Sequence, residues 1–265
     1  MRTIPSAFAA IFLVTAGAAM AQDAERPFCT NRPGVNTASC TVEPGRVMVE
    51  FSLADWTRNY AGGVRGDGFL FADTLVRVGV TRTGEAQVGW TPLGYSRTRT
   101  SAPRLVARDT GTGDIYLAWR QSVSGVNGPV AVQGFVTVPT GSGPLNTGTW
   151  TAGVLVPVSF SLTESVSFAA TPQVNAAADA DGDGRHLFYG SAVGVSFSVA
   201  DSVGLIAELS AYRDDDPLGD TTEVAASGSA AWQVADEQQV DAQVSLGLNR
   251  DTPDLRVIVG LARRF

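Results

Sequence analysis

The stretch that decides the fold is TWTAGVLVPVSF, residues 149–160. Trp150, Ala152, Val154, Val156, Val158 and Phe160 fall on every second position. Thr151, Gly153 and Ser159 fall between them, with Leu155 and Pro157 interrupting the polar side. A period of two belongs to a β-strand whose faces meet different surroundings. Trp150 and Phe160 share the apolar face. At about 3.3 Å per residue and a tilt of about 40°, they stand roughly 25 Å apart along the normal to a lipid layer. That is the height of the apolar band around a membrane barrel, with an aromatic at each rim. Tyr189 and Phe197 nearly repeat the spacing.

The same period recurs along the chain. In VDAQVSLGL, Val240, Ala242, Val244, Leu246 and Leu248 oppose Asp241, Gln243, Ser245 and Gly247. Val224, Ala226, Ala230, Trp232 and Val234 alternate with Glu223, Ser227, Ser229 and Gln233. From Arg46 onward no helical stripe competes with this pattern. Twelve strands are expected, near 46–56, 68–80, 84–93, 112–121, 129–139, 149–160, 164–175, 187–200, 203–213, 222–234, 239–248 and 256–265. Most are about ten residues or longer, which exceeds the usual strand of a soluble sheet and suits a tilted membrane crossing.

Turn lengths point the same way. TRT, SLT, DS and ADEQ are tight, whereas the alternate connections are longer and carry Gly, Asp, Pro and Arg. SVSGVNG is longer than this alternation requires. Short turns on one side and long loops on the other predict an all-β protein: a closed antiparallel transmembrane β-barrel of about twelve strands, with short periplasmic turns and long extracellular loops. The closing run RVIVGLARRF stays strand-like to Phe265, as expected of a strand that must seal the wall against the first one. The competing architecture is a secreted β-sandwich, whose apolar faces would turn inward.

Residues 1–21 read as a signal peptide, with Arg2, the apolar run AFAAIFLVTAGAA and the small-residue site Ala19-Met20-Ala21. Export to a Gram-negative outer membrane follows. Residues 22–45 are expected as a periplasmic segment and residues 46–265 as the barrel. Cys29 and Cys40 are the only cysteines; in an oxidising compartment they are expected as a disulfide worth roughly 2–3 kcal/mol, two thiols being too few for a metal site. The formal charge is −7 and all nineteen basic residues are Arg, which argues against nucleic acid as a partner.

NRPGVNTASCTVEPGRVMVEFS, TLVRVGVTRTGEAQVGW, TGDIYLAWR, GPVAVQGFVTVPTG and TPDLRVIVGLARRF, taken in order, resemble the outer-membrane family of meta-pathway phenol-degradation or transporter-like proteins. The resemblance spans nearly the whole exported chain. It implies a barrel associated with uptake of small, often hydrophobic or aromatic compounds. It also implies that Phe265 is read by the barrel-insertion machinery, although Arg263 stands where that signal usually carries an apolar residue.

The strand register turns Glu50, Asp73, Arg77, Glu85, Asp114, Arg120, Gln133, Glu208, Glu223, Asp241, Gln243 and Arg256 toward the lumen. Buried charges persist only when paired or wet, so these residues either line a watery passage or pair across the barrel and plug it. The expected function is a passive channel for small solutes; the alternative is a structural or surface-recognition barrel. Loop 94–111, with Arg97, Arg99, Arg104 and Arg108, is expected either to constrict the pore or to reach toward lipopolysaccharide. Asp179, Asp181 and Asp183 imitate the start of a calcium loop without its twelfth-position Glu, so calcium is a weak candidate and no other cofactor is expected. Enzymatic activity is not expected: a lipid-hydrolysing barrel needs a Ser near its His, and Phe188 stands two residues beyond the sole histidine, His186. The run Asp214, Asp215, Asp216 reads as a solvated loop, with an aspartate-based protease site at the rim as the lesser alternative.

Overall fold

The computed structural model describes residues 26–101, 104–182 and 184–265. The signal-peptide expectation and Asp183 lie outside the described residues. Fifteen strand segments form one sheet: β1 (Val47–Ala61), β2 (Val64–Thr81), β3 (Gly84–Trp90), β4 (Leu93–Thr100), β5 (Val106–Gly111), β6 (Ile115–Ser122), β7 (Ala131–Val138), β8 (Thr151–Leu155), β9 (Val158–Ser161), β10 (Val166–Ala178), β11 (Arg185–Ala200), β12 (Val203–Asp214), β13 (Thr221–Ala235), β14 (Gln238–Gly247) and β15 (Leu255–Arg264). Three pairs of segments are single strands with a break. β3 and β4 both pair with β2, β8 and β9 both pair with β10, and β5 continues into β6. Pro92 and Pro157 sit in two of the breaks, where the missing N–H cannot serve the ladder. Twelve strands remain.

Every strand pairing is antiparallel, and β1 pairs with both β2 and β15, so the ring is closed. Phe265 lies inside the ladder: its N–H donates to the Val47 carbonyl at 2.7 Å, and Val47 donates back at 3.2 Å.

The barrel is inside out. Arg77, Glu85 and Arg120 are fully buried, while Leu53, Val80, Val88, Trp90, Val154, Phe160, Leu209 and Trp232 are exposed on the outer wall. A sandwich would bury these apolar residues between layers; here they face outward all round, as a lipid-facing band must. The alternation at 149–160 survives the break at Val156 and Pro157, with Val154 and Phe160 exposed and Leu155 buried.

Three expectations need correction. Loop 94–111 is mostly wall: β4 and β5 form a hairpin whose connection is only 101–105. Backbone pairing continues beyond the lipid, where apolar alternation has no reason to. For the same reason β1 and β2 run far past the expected strand ends and meet at Gly62 and Gly63, whose positive φ of 56° and 79° gives the tight hairpin turn. Third, residues 26–45, part of the segment 22–45 expected in the periplasm, lie inside the ring, where their backbone N–H groups find inward carboxylates. The segment is closed by the Cys29–Cys40 disulfide.

Candidate functional site

The site is the lumen together with this plug. A charge cluster built from β1, β2, β3 and β6 fixes one side of it. Arg77 donates to Glu85 at 2.8 and 3.0 Å, to Glu50 at 2.8 Å, and to the carbonyls of Cys29 and Cys40 at 3.0 and 3.2 Å. Arg120 donates to Gln133 at 2.8 Å, to Asn31 at 2.9 Å and to Cys40 at 3.2 Å. Glu50 accepts the Asn31 N–H at 3.0 Å, and Glu85 accepts the Val42 N–H at 2.7 Å. Each charge of this cluster thus meets an opposite charge or a backbone dipole, which offsets the cost of holding it away from water.

The other side is held by single hooks. Glu208 on β12 accepts the N–H groups of Val35 and Asn36 at 2.8 and 2.9 Å and the Asn36 side chain at 2.9 Å. Asp241 on β14 pairs with Arg32 at 2.8 Å, Gln243 accepts from Gly34 at 3.1 Å, and Thr171 on β10 accepts from Thr37 at 2.9 Å. Close approach is part of the fit. A Cβ on Gly194 would stand 2.7 Å from Glu208, and one on Gly79 would stand 1.9 Å from the Glu43 carbonyl.

Eight of the twelve expected lumen residues therefore hold the plug: Glu50, Arg77, Glu85, Arg120, Gln133 (through Arg120), Glu208, Asp241 and Gln243. The remaining four lie nearer the outer mouth. Asp73 accepts from Thr91 at 2.7 Å, and Arg256 pairs with Asp55. Glu223 and Arg256 line a cavity. Asp114 corrects the expectation of a pore-facing carboxylate. It lies in the break between β5 and β6 and accepts from Gly141 at 2.8 Å and from Thr147 at 3.0 and 2.8 Å, pinning the loop 139–150. The short 3₁₀ turn Gly143–Leu145 of that loop rests against β4 and β5, with Leu145 over Gly94. The inward-folded element of the mouth is this loop, not 94–111.

Ser52, Gln87, Thr171 and Gln239 were missed, although each sits on the inward parity of its strand. Asp55 could not be found that way, because the irregularity between Ser52 and Ala54 flips the parity of β1. Arg32 and Asn36 lie in a segment with no period at all.

Two voids separate the plug from the part of the wall whose inward side chains are small. One, about 170 Å³, is bounded by Asn31, Asn36, Thr37, Ala169, Gly194, Ser196 and Glu208. The other, about 160 Å³, lies beyond Val35 toward the outer mouth, among Ser210, Tyr212, Glu223, Ser227, Gly247 and Arg256.

At the outer rim, His186 donates or accepts at Asp179 over 2.8 Å and contacts Asp214, with Asp216 at 3.6 Å. The group that converges is Asp179, His186 and Asp216, within 4.8 Å of one another; Asp181 of the expected calcium set is not part of it. The N–H groups of Leu218 and Ala180 hold the Asp216 carboxyl below the ordinary carboxylate range. Phe188 stacks on Tyr212 with ring centres 5.4 Å apart, so the position two beyond His186 offers no hydroxyl.

A closed twelve-stranded ring with an apolar exterior and a polar, plugged interior defines an outer-membrane barrel. Residues 30–265 match the family described as "Putative MetA-pathway of phenol degradation", and the chain belongs to that family. The fold is similar to the COG4313 outer membrane channel from Pseudomonas putida F1 (15% identity, TM-score 0.67, 88% of this chain and 99% of that one). It is also similar to the β domain of the Bordetella autotransporter BrkA (12% identity, TM-score 0.52, 84% of this chain and 100% of that one). No curated protein matches the sequence.

Proposed function

We propose that the protein is a passive outer-membrane channel for small solutes, with a preference for neutral aromatic or cationic ones. The observation that carries this reading is the pair of voids along one side of the plug, one beyond the other toward the outer mouth. Small inward residues leave the space, Tyr212 offers an aromatic face, and Glu208 and Glu223 make the route unfavourable to anions. Neither void is as large as a typical drug-sized pocket of about 300–1,000 Å³, so the plug must yield for anything beyond the smallest solutes. Membership of a family named for phenol degradation supports an aromatic solute.

The test is conductance in planar bilayers and swelling of proteoliposomes with phenol-sized neutral solutes, cations and anions. Wild type should pass little current, with cations ahead of anions. Glu208→Gln, which weakens three bonds to the plug, should raise the flux severalfold. No flux at any voltage from either protein supports the structural-barrel alternative instead.

A further inference from the structure

The outer ends of β1, β2, β4 and β5 form a four-stranded flap, and its register stacks arginines on one face. Arg58 lies opposite Asp67, Asp67 opposite Arg97, and Arg97 opposite Arg108. One step further out, Tyr60 lies opposite Arg65, and Arg65 opposite Arg99. Directly paired residues point to the same side, as do residues two apart on a strand. Five arginines and one carboxylate therefore share this face. Asp67 is already taken by Arg65 at 2.8 Å and Arg58 at 3.4 Å.

The face is the outward one. Asp55 turns inward to Arg256, which sends Trp56 to the outside, and Trp56 lies opposite Phe69, itself opposite Tyr95. Phe71 and Leu93 continue the row downward and are exposed. On the opposite, inner face Gly94 and Gly111 meet the inward-folded loop at Leu145 and Ser142. From Val80 to Phe69 along β2 is about 28 Å of wall height at a tilt of about 40°, so the aromatic row ends the apolar band. The arginines stand one and two rows above it, at the level of lipid headgroups.

Arg97 and Arg108 are like charges in directly opposed positions, an arrangement that is unfavourable by itself. The Nε atoms of Arg97 and Arg99 are buried and have no hydrogen-bond acceptor. A planar guanidinium pair with unspent donors suits a phosphate oxygen, which takes two N–H bonds from one Arg.

We infer that Arg65, Arg97, Arg99 and Arg108 form a binding site for the phosphomonoester of an outer-leaflet lipid such as the phosphorylated glucosamine headgroup of lipid A, with its acyl chains descending past Trp56, Phe69, Phe71 and Leu93. The site lies on the outside of the wall and is independent of any passage through the lumen. The lipid phosphate relieves the Arg97–Arg108 opposition and fixes the flap upright.

The experiment uses the whole folded chain in zwitterionic detergent, with native mass spectrometry and titration of tryptophan fluorescence. Probes are bisphosphorylated lipid A, enzymatically dephosphorylated lipid A and inorganic phosphate. Wild type should retain lipid A, with the affinity falling at least tenfold for the dephosphorylated lipid and falling with added salt. Arg97→Gln/Arg99→Gln should lose a similar factor, while Arg263→Gln, an exposed arginine at the opposite end of the barrel, should bind as wild type does. Heat-modifiable migration on gels checks that each variant is a folded barrel. Equal binding of phosphorylated and dephosphorylated lipid, or of wild type and the double variant, overturns the inference. Inorganic phosphate bound as tightly as lipid A overturns the lipid as ligand.

Discussion

Arg77 shows how much a single buried charge is asked to do. It is the meeting point of Glu50, Glu85 and two carbonyls of the plug, with no exposure to solvent. Arg77→Leu leaves two carboxylates short of their main partner, and stranding a buried charge costs about 3–5 kcal/mol. The expected result is a lowered urea midpoint of barrel unfolding in detergent, followed by tryptophan fluorescence. Gly79 fails differently. Alanine there would drive the chain off at Glu43, so Gly79→Ala should leave the barrel folded but expose 26–45 to protease added from the periplasmic side. Arg77, Glu85 and Arg120 were legible as inward residues from strand parity alone. Their partners were not, because a segment without a period carries no sign of which surface it will cover.

Among the elements, the strands were read from alternation and the wall they form agrees with it wherever lipid imposes two faces. The misreadings fall where lipid stops. β4 and β5 carry Arg, Ser and Thr with no apolar face to reveal them, yet their backbones pair as regularly as those below. The inward loop 139–150 was read only as one of several longer connections; what distinguishes it is the set of bonds to Asp114, a tertiary fact. Asp114→Ala should free this loop and widen the mouth, read as a rise in conductance and in current noise without a change in thermal stability beyond about 1–2 kcal/mol. The disulfide-closed plug gives a second prediction at this scale. Cys29→Ser/Cys40→Ser removes a cross-link worth roughly 2–3 kcal/mol to that segment. The double variant should show faster hydrogen exchange over 26–45 while the exchange of β10–β14 stays unchanged.

At the scale of the whole molecule, the decisive property is the exchange of inside and outside. The protein hides arginine and glutamate and displays valine, leucine and tryptophan, so it should stay monodisperse in detergent and precipitate when detergent is removed. A monodisperse protein in plain buffer would contradict the lipid-facing exterior. Acidic composition and the absence of lysine fit the same arrangement. Carboxylates grip the backbone N–H groups of the plug, and the guanidinium of Arg77, with five donors in a fixed planar fork against the three of a lysine, serves two carboxylates and two carbonyls at once.

The plug enters and leaves by one door. Arg26 reaches the Arg82 carbonyl in the turn after β2, and Gly45 bonds Gly79 beside that turn, so both ends of the segment lie at the periplasmic rim. It is a bight of rope pushed into a pipe, not a thread drawn through it. Withdrawal tangles nothing and leaves every seam of the wall intact.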